Sequence, residues 1–593
     1  MALLGILSVI QAWFLPGILF TLFFKKIKII DNLVLSIPLS LVLNYLIVYS
    51  LVNLKLYNQK IFLLIITFEI IFIIFFIFKR YKLNELLNII DNFFSLDKSR
   101  NTLKIDISLI NLLILFLLTV YIFYFLKNVG QSIHVGDPLD LWNHWALLWS
   151  KNIIPYTTEY PQAVPILYSI SYVLLNSHEV EFFTSAVCLI YPIWIFVIFF
   201  RLIYILPESK LIIKLSLIIT SFFILSILRH YSLFIGYSDP ILILTSTSAG
   251  FILIYDHIEK KNNKVSKKDT LKNIIFISFI AAAPAITKQM GLLVSYIFPI
   301  FYFLINFFEK KILYKNTIII SLIVFLISIT WYALPLYHYY QIDFESTKFS
   351  RLSADSVKDS PSLIDRLSHG LHYLFWYFKY LVIILILFSL KNRYALKVFS
   401  LIVLPYFLIW ALFFGADARN FVMVSPFLGF ILSIGLNNFI EIFDHINLKF
   451  IKTLKIILLT SFIILLAFSI HKIKNDEKII FKSIESKMIR GNRDINTLLY
   501  NIFNYSQPDF DIISIQDVDF LYLPIIGKKV STTSCENFNL FLKKRNNREP
   551  FYLLINKKFC SISDLFQEKK YNFELKELFD HKNHIFYIIK TNF

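Results

Sequence analysis

The densest polar segment of this otherwise apolar sequence is HVGDPLDLWNHWALLWSKNIIPYTTEYPQAVP, residues 134–165. Its N-terminal part brings together the carboxylates Asp137 and Asp140, the imidazole of His144 and the ammonium group of Lys151. Carboxylates and imidazoles serve as general bases in proteins, and an ammonium group can hold an anion. The segment is therefore a candidate active site in which a proton is removed beside a bound anionic group.

The residues after Asp137 predict the start of a helix. Asp137 can cap it, Pro138 suits the first helical position, and Asp140 falls where a carboxylate meets the positive end of the helix. At about 100° per residue, three tryptophans share one face and three polar groups share the opposite face. The two sets are Trp142, Trp145 and Trp149, and Asp140, His144 and Lys151. We expect an amphipathic helix lying on the membrane, with its tryptophans at headgroup depth.

Three more charged residues flank apolar segments further along the chain. Asp239 begins an apolar run in GYSDPILIL, Lys288 separates two short apolar segments, and Arg419 follows Asp417. Each has a simple structural explanation on its own, namely a helix cap, a snorkelling lysine and a local ion pair. Together with Asp140 they would place two carboxylates and two cations at one mouth of a bundle, which is costly in a membrane unless the charges are used.

The composition indicates what kind of scaffold positions these residues. Of 593 residues, 57% are hydrophobic and only 17% are charged, and the mean hydropathy is +0.65. These values exclude disordered, collagenous, disulfide-scaffold and ordinary globular classes, and they predict an all-α polytopic membrane protein. The net charge of +19 is then explained by basic cytoplasmic loops, so we expect no nucleic-acid partner.

Hydropathy predicts about 14 transmembrane helices, since about 20 apolar residues cross the hydrocarbon core. The candidate spans are roughly 3–24, 33–52, 61–78, 107–126, 183–204, 211–228, 240–255, 273–287, 291–308, 316–334, 373–390, 397–414, 421–440 and 456–471.

The basic loops fall on one side of the membrane only if the short apolar segment 162–176 does not cross it. We expect that segment to be interfacial or re-entrant, with loop 127–182 on the outer side. The prediction is a multi-pass protein of the inner (plasma) membrane whose active site and C-terminal domain are extracytoplasmic. The loops that carry the basic residues are 25–31, 79–106, 256–272, 308–315 and 391–397.

Three regions are predicted along the chain. Residues 1–106 hold N-terminal transmembrane helices, 107–471 form the transmembrane catalytic region, and 472–593 form a small extracytoplasmic α/β domain. The last region has the strand-like runs DIISIQ, PFYLLIN and HIFYIIKT and the helix-like run DEKIIFKSIESKMI. An oxidising compartment would permit a bridge between Cys535 and Cys560.

These residues carry a family resemblance over about residues 107–440. The chain resembles the GT-C superfamily of lipid-linked-sugar glycosyltransferases, in the branch of the protein O-mannosyltransferases and aminoarabinose transferases (glycosyltransferase family 39-like). Two features depart from that family: three spans precede the loop-bearing pair, and the Asp-Glu doublet of the mannosyltransferases is absent. The matching residues are Asp140, Trp142, Trp145, Lys151 and Tyr160-Pro161, then Tyr237-Ser238-Asp239, Thr287-Lys288 with Gly291-Leu292, and Arg419 with Pro426.

The resemblance implies an inverting transfer of a sugar from a polyprenyl-phosphate donor to a hydroxyl of a glycan, lipid or protein acceptor. Such a reaction requires a base for the acceptor and positive charge for the departing phosphate. The expected catalytic residues are Asp140, Asp239 and Asp137, the expected donor phosphate-binding residues are Lys288, Arg419 and Lys151, and the expected supporting residues are His144, Trp142, Trp145 and Tyr160.

The residues leave metal use open. Asp140 and Asp239 would suit Mg²⁺ or Mn²⁺, whereas His134 or His144 would admit Zn²⁺. No close ligand motif favours one ion, so a divalent metal stays an alternative and no cofactor is certain.

Two other classes of membrane protein stay open. An O-antigen polymerase or ligase would depend on a long outer loop rich in Arg and His. A lipid-linked sugar transporter or flippase would place its polar groups near the bilayer midplane. The charges singled out above lie at the outer ends of spans, which favours a transferase. The loop residues that fit the polymerase alternative are His338, Arg351, Arg366, His369 and His372.

Overall fold

The structure of the chain is a computed structural model. It describes residues 2–24, 29–80, 109–128, 138–155, 160–177, 182–206, 209–234, 236–262, 267–308, 314–339, 364–365, 367–368, 379–413, 418–444, 511–515, 530–533, 551–556, 573–581 and 584–591.

The described part of the chain up to residue 444 is helical. Helices α1 to α9 are Ala2–Trp13, Leu15–Phe24, Ile29–Asn53, Gln59–Arg80, Leu109–Asn128, His144–Ser150, Ala163–Leu175, Phe182–Val187 and Ile190–Ile205. Helices α10 to α19 are Lys210–Phe234, Ser238–Asn262, Lys267–Thr287, Gly291–Phe308, Tyr314–Tyr339, Lys379–Ser389, Arg393–Val398, Leu404–Phe413, Ala418–Phe421 and Ser425–Asp444. Two π-helical turns, Pro138–Asn143 and Phe399–Val403, and the 3₁₀ turn Val422–Val424 complete the set.

The helices confirm the prediction of a polytopic membrane protein. Within the described residues, eight helices are long and apolar enough to cross a membrane, or nine if the pair α1–α2, bent by 44°, counts as one span. Five shorter apolar helices accompany them. Each candidate span from 3–24 to 421–440 coincides with a helix or a helix pair, whereas the candidate 456–471 lies outside the described residues.

Helix α7 occupies the segment 162–176, which was predicted not to cross the membrane. Its 13 residues make it about 20 Å long, which is shorter than the hydrocarbon core of about 30 Å. All of them are buried inside the protein, against α1, α3, α4 and α6. A helix of this length does not cross the hydrocarbon core, which agrees with the prediction that the segment is not a span, and its burial by protein suits the re-entrant alternative.

The turn between α3 and α4 lies at the same end of the bundle as the loop helix α6. The Asn152 side chain, just after α6, donates to the carbonyl of Tyr57 at 2.9 Å and accepts from the Tyr57 amide at 3.0 Å. Asn152 adopts a φ of 57°, a left-handed conformation that asparagine tolerates. The loop predicted to be functional is thus held by paired hydrogen bonds to the N-terminal helices.

The opposite end of the bundle is held by a buried ion pair. Arg201, near the end of α9, binds both carboxylate oxygens of Asp31 at the start of α3, with Nη2 2.8 Å from Oδ2. The hydroxyl of Tyr255 donates to the same Oδ2 at 3.2 Å. A paired and hydrogen-bonded charge is tolerated in the interior, whereas a single one is strongly destabilising. The pair therefore fixes the N-terminal helices to the rest of the bundle.

The C-terminal region contains a five-stranded mixed sheet with strand order β2-β1-β3-β5-β4. Strand β1 is parallel to β2 and β3, while β5 is antiparallel to β3 and β4. Strands β1, β3 and β5 confirm the three strand-like runs. The helix-like run, Cys535 and Cys560 lie outside the described residues. The strands are Asp511–Ile515, Val530–Thr533, Phe551–Asn556, Phe573–His581 and His584–Thr591.

Candidate functional site

Asp239 and Lys288 form a buried ion pair. Lys288 Nζ donates to Asp239 Oδ1 at 2.7 Å, although the two residues are 49 positions apart. Asp239 is 1% exposed and Lys288 is 7% exposed, so both charges are removed from bulk solvent. The pairing excludes a snorkelling role for the lysine, and it places a carboxylate and an ammonium group in direct contact at one end of the bundle.

Short turns position both partners of this pair. Asp239 lies in the first turn of α11, where a carboxylate interacts favourably with the positive end of the helix. Lys288 follows α12 directly, and its carbonyl accepts the Gly291 amide at 2.8 Å. Gly291 begins α13 in a tight contact, since a Cβ there would lie 1.9 Å from the Pro284 carbonyl oxygen. The turn between α12 and α13 can therefore hold Lys288 against α11 only with glycine at position 291.

Arg419 contacts the segment that leads into Asp239. Its guanidinium carbon is 5.5 Å from the centre of the Tyr237 ring, two residues before Asp239, a distance at which cation–π attraction operates. The hydroxyl of Tyr406 donates to the carbonyl of Asn420, which fixes the backbone next to Arg419. The structure thus brings together three residues that the sequence singled out. We call Asp239, Lys288 and Arg419 the charged cluster.

The segment that carries Asp140 begins with a π-helical turn, Pro138–Asn143, and continues as α6. Asp140 lies within this turn, and π-helical turns occur frequently at functional sites. Asp137 and His134 lie outside the described residues. The prediction that a helix begins after position 137 is confirmed.

The tryptophans of this helix do not lie on the membrane surface. Trp142 is 2% exposed, Trp149 is fully buried, and Trp145 is 9% exposed. The indole nitrogen of Trp149 donates to the side chain of Gln162 at 3.0 Å. The membrane-surface expectation is wrong, because helix α7 and its preceding residues cover the tryptophan face that the helical period predicted.

Tyr160 belongs to the same aromatic group. Its ring lies 5.1 Å from the Trp142 ring in an edge-to-face arrangement and 6.1 Å from that of Trp145. Such contacts contribute about 0.5–1.5 kcal/mol beyond area burial. Three of the four expected supporting residues, Trp142, Trp145 and Tyr160, are therefore in mutual contact.

The two acidic segments lie side by side. Gly236, three residues before Asp239, has a φ of 99°, in the region that favours glycine. A Cβ at this position would lie 3.3 Å from the Cβ of Pro138, which is two residues before Asp140. The turn that bears Asp140 therefore packs directly on the segment that leads into Asp239.

His144 and Lys151 lie on the remaining face of the loop helix. Lys151 is exposed and His144 is partly buried. Burial lowers the pKa of His144 below its ordinary value of 6.5, and the positive charge of Lys151 lowers it further. His144 is therefore neutral at pH 7, which suits a hydrogen-bonding role and not a role as a fixed cation.

Asp239, one of the two residues expected to suit a divalent metal, is already paired. Lys288 already occupies Oδ1 of that carboxylate, and the part of the chain that the structure describes has no group of three or more His, Cys, Asp or Glu residues placed to hold an ion. Of the residues that favoured a polymerase, Arg351, Arg366, His369 and His372 lie outside the described residues.

Sequence reasoning missed the residues that hold the site together, namely Asn143, Gln162, Tyr168, Tyr172 and Tyr406. One signal was available: Tyr168 and Tyr172 are one helical turn apart in an apolar helix, so their hydroxyl groups share a face.

The helical bundle matches a known membrane-protein fold. The chain has the GT-C fold of integral-membrane glycosyltransferases. One similar solved structure is that of ArnT, the aminoarabinose transferase, from Cupriavidus metallidurans, bound to undecaprenyl phosphate. The match has a TM-score of 0.51 at 10% sequence identity, and it covers 81% of this chain and 98% of that chain. No family model matches the sequence, and no curated protein matches it.

Proposed function

We propose that the protein is a membrane glycosyltransferase that moves a sugar from a polyprenyl-phosphate donor to an acceptor hydroxyl group. The acceptor is a glycan, a lipid or a protein. The observation that carries the proposal is the charged cluster beside the Asp140 turn, at one end of a GT-C bundle. The ArnT structure was determined with undecaprenyl phosphate, which is the lipid carrier that remains when a donor of this kind has given up its sugar.

In the proposed reaction the donor phosphate binds to Lys288 and Arg419. An ammonium group has three hydrogens to donate, and Asp239 accepts only one of them, so two are left for phosphate oxygens. A guanidinium group suits bidentate contact with phosphate. Both cations would stabilise the negative charge that develops as the phosphate departs. Lys151, exposed near the end of the loop helix, adds a third positive charge.

Asp140 is the general base in this proposal. It removes the proton of the acceptor hydroxyl as that oxygen attacks the sugar carbon, and the bond from that carbon to the phosphate oxygen breaks. A single displacement of this kind inverts the configuration of the sugar carbon. Asp239 acts through Lys288, because its carboxylate holds the ammonium group in place and offsets the cost of burying it. Asp137 would assist from the start of the same segment.

We place the site on the extracytoplasmic face of the plasma membrane. The support is the charge pattern of the loops, since Lys and Arg collect in the connections at the opposite end of the bundle. In this orientation the C-terminal sheet is also extracytoplasmic.

The proposal is tested by lipid analysis of the source organism with and without the gene. Mass spectrometry of the lipid extract should show that the polyprenyl-phosphate sugar accumulates in the deletion strain, because its consumption is blocked. An unchanged pool of lipid-linked sugars, together with unchanged surface glycans, would contradict the proposal.

A further inference from the structure

Helix α7 carries two tyrosines whose hydroxyl groups the proposed reaction does not use. Tyr168 and Tyr172 are one turn apart, so their side chains leave the helix on one face, about 6 Å apart along its axis. Both are buried, at 0% and 1% exposure. A buried hydroxyl group without a hydrogen bond is costly, so the partners of these two groups identify what the helix holds.

Tyr172 binds the segment that carries Asp140. Its hydroxyl donates to Asn143 Oδ1 at 2.6 Å, and Asn143 is the last residue of the π-helical turn, three positions after Asp140. Asn143 is itself fully buried. The bond is short and shielded from water, so it fixes the end of the turn.

Tyr168 binds the segment that carries Asp239. Its hydroxyl donates to the carbonyl of Gly236 at 2.7 Å, three residues before Asp239, and it also contacts the thiol of Cys188. Gly236 is the residue with a φ of 99° that packs against Pro138. The bond therefore fixes the glycine turn at the point where the two acidic segments meet.

We propose that Tyr168 and Tyr172 are positioning residues that set the placement of Asp140 relative to Asp239. Neighbouring hydroxyl groups on one helix hold one acidic segment each, so the spacing along the helix is transferred to the spacing of the two backbone segments that bear Asp140 and Asp239. The inference rests on the proposed function of these carboxylates. Since a misplacement of about 1 Å can cost roughly 10²-fold in rate, loss of either hydroxyl group reduces turnover by about tenfold or more.

The test uses substitutions that remove one hydroxyl group and keep the ring. Tyr168→Phe and Tyr172→Phe each delete one of the two bonds. Tyr57→Phe is the matched control, because Tyr57 is equally buried and its hydroxyl lies 3.0 Å from Ser169 Oγ on the same helix. The bonds of Tyr57 to Asn152 use its backbone, which the substitution keeps. Asn143→Leu deletes the Tyr172 bond from its other end at similar side-chain volume.

Two readouts separate positioning from folding. The first is the initial rate at which each induced variant restores the sugar increment in a deletion strain, measured by mass spectrometry and normalised to folded membrane protein. The second is the affinity of the purified full-length variant for undecaprenyl phosphate. The expected result is a rate at least tenfold lower for Tyr168→Phe and Tyr172→Phe, an affinity within twofold of wild type, and Tyr57→Phe unchanged in both.

Three results would overturn the inference. These are rates above half of wild type for both variants, a parallel loss of rate and affinity, and an equal loss for Tyr57→Phe. If Tyr172→Phe fails to accumulate, the rate and affinity of Asn143→Leu are measured instead and judged by the same criteria. Asp140→Asn is included to separate the two proposals: if it is inactive while both Phe variants work normally, only the positioning role fails. If wild type restores no sugar increment, the proposed function itself fails.

Discussion

Lys288 Nζ lies 2.7 Å from Asp239 Oδ1, and both side chains are almost fully withdrawn from solvent. A buried charge that loses its partner is destabilising by about 3–5 kcal/mol, whereas removal of both charges together is often tolerated. The effect of the pair on stability can therefore be separated from its effect on activity by comparing single and double variants.

We expect Asp239→Leu and Lys288→Met each to lower the free energy of unfolding by about 3–5 kcal/mol. The double variant should recover most of that loss, because no unpaired charge is left, yet it should stay inactive because the phosphate has lost a cation. Thermal unfolding in detergent and the restoration of the sugar increment are the two measurements. A double variant that regains activity along with stability would show that the pair is only structural.

Arg419→Ala should weaken the binding of undecaprenyl phosphate by roughly 10- to 100-fold, the equivalent of one lost charged hydrogen bond. Arg419→Lys should recover only part of the affinity, because an ammonium group cannot make the bidentate contact. The control is Arg393→Ala, an exposed arginine at the start of α16. Equal affinity for wild type and Arg419→Ala would remove Arg419 from the phosphate site.

The burial of Trp149 in the loop helix predicts that this side chain stabilises the fold. Trp149→Ala should lower the free energy of unfolding by about 3–5 kcal/mol, as expected for a large buried side chain. Trp149→Phe should cost less, about 1–3 kcal/mol, since it fills most of the space but leaves Gln162 without its donor. A change below 1 kcal/mol for both would instead favour a helix that lies on the membrane surface.

The lowered pKa of His144 predicts a pH dependence of stability. The unfolded chain binds a proton below about pH 6.5, whereas the folded protein resists it. The contribution of His144 is therefore fully present above pH 6.5 and is lost as the pH falls below that value. The decrease in melting temperature between pH 7.5 and pH 5.5 should be smaller in His144→Gln than in wild type. An identical decrease in both proteins would contradict the assignment.

The sequence predicted the helices well because each span must bury its backbone in hydrocarbon, which leaves a long apolar run. It predicted β1, β3 and β5 by their apolar content, but not β2 or β4. Strand β2 is the short polar run VSTT, and β4 includes FELKELF, in which Leu575, Leu578 and Phe579 recur at the helical spacing i, i+3, i+4. The sheet pairing that overrides these local preferences is not visible in one sequence.

The sequence predicted which residues form the charged cluster and that they share one side of the membrane, but it did not predict the ion pair between Asp239 and Lys288. The sequence placed Asp239, Lys288 and Arg419 at one mouth, while the ion pair depends on how α11 and α12 pack. The tryptophan face was also identified correctly, but its environment was not. A helical period shows which residues share a face, and only the packing of α7 shows that protein covers it.

The most direct test of the account compares the surface glycans, lipids and glycoproteins of wild type, a deletion strain, and the deletion strain complemented with Asp140→Asn. A general base contributes roughly 10²- to 10⁴-fold in rate, so the substitution should nearly abolish transfer. Complementation with Glu441→Gln, an exposed carboxylate near the end of α19, is the control. The account predicts that the deletion and Asp140→Asn strains lack the same single sugar increment, which identifies the acceptor. Restoration of the wild-type pattern by Asp140→Asn would contradict it.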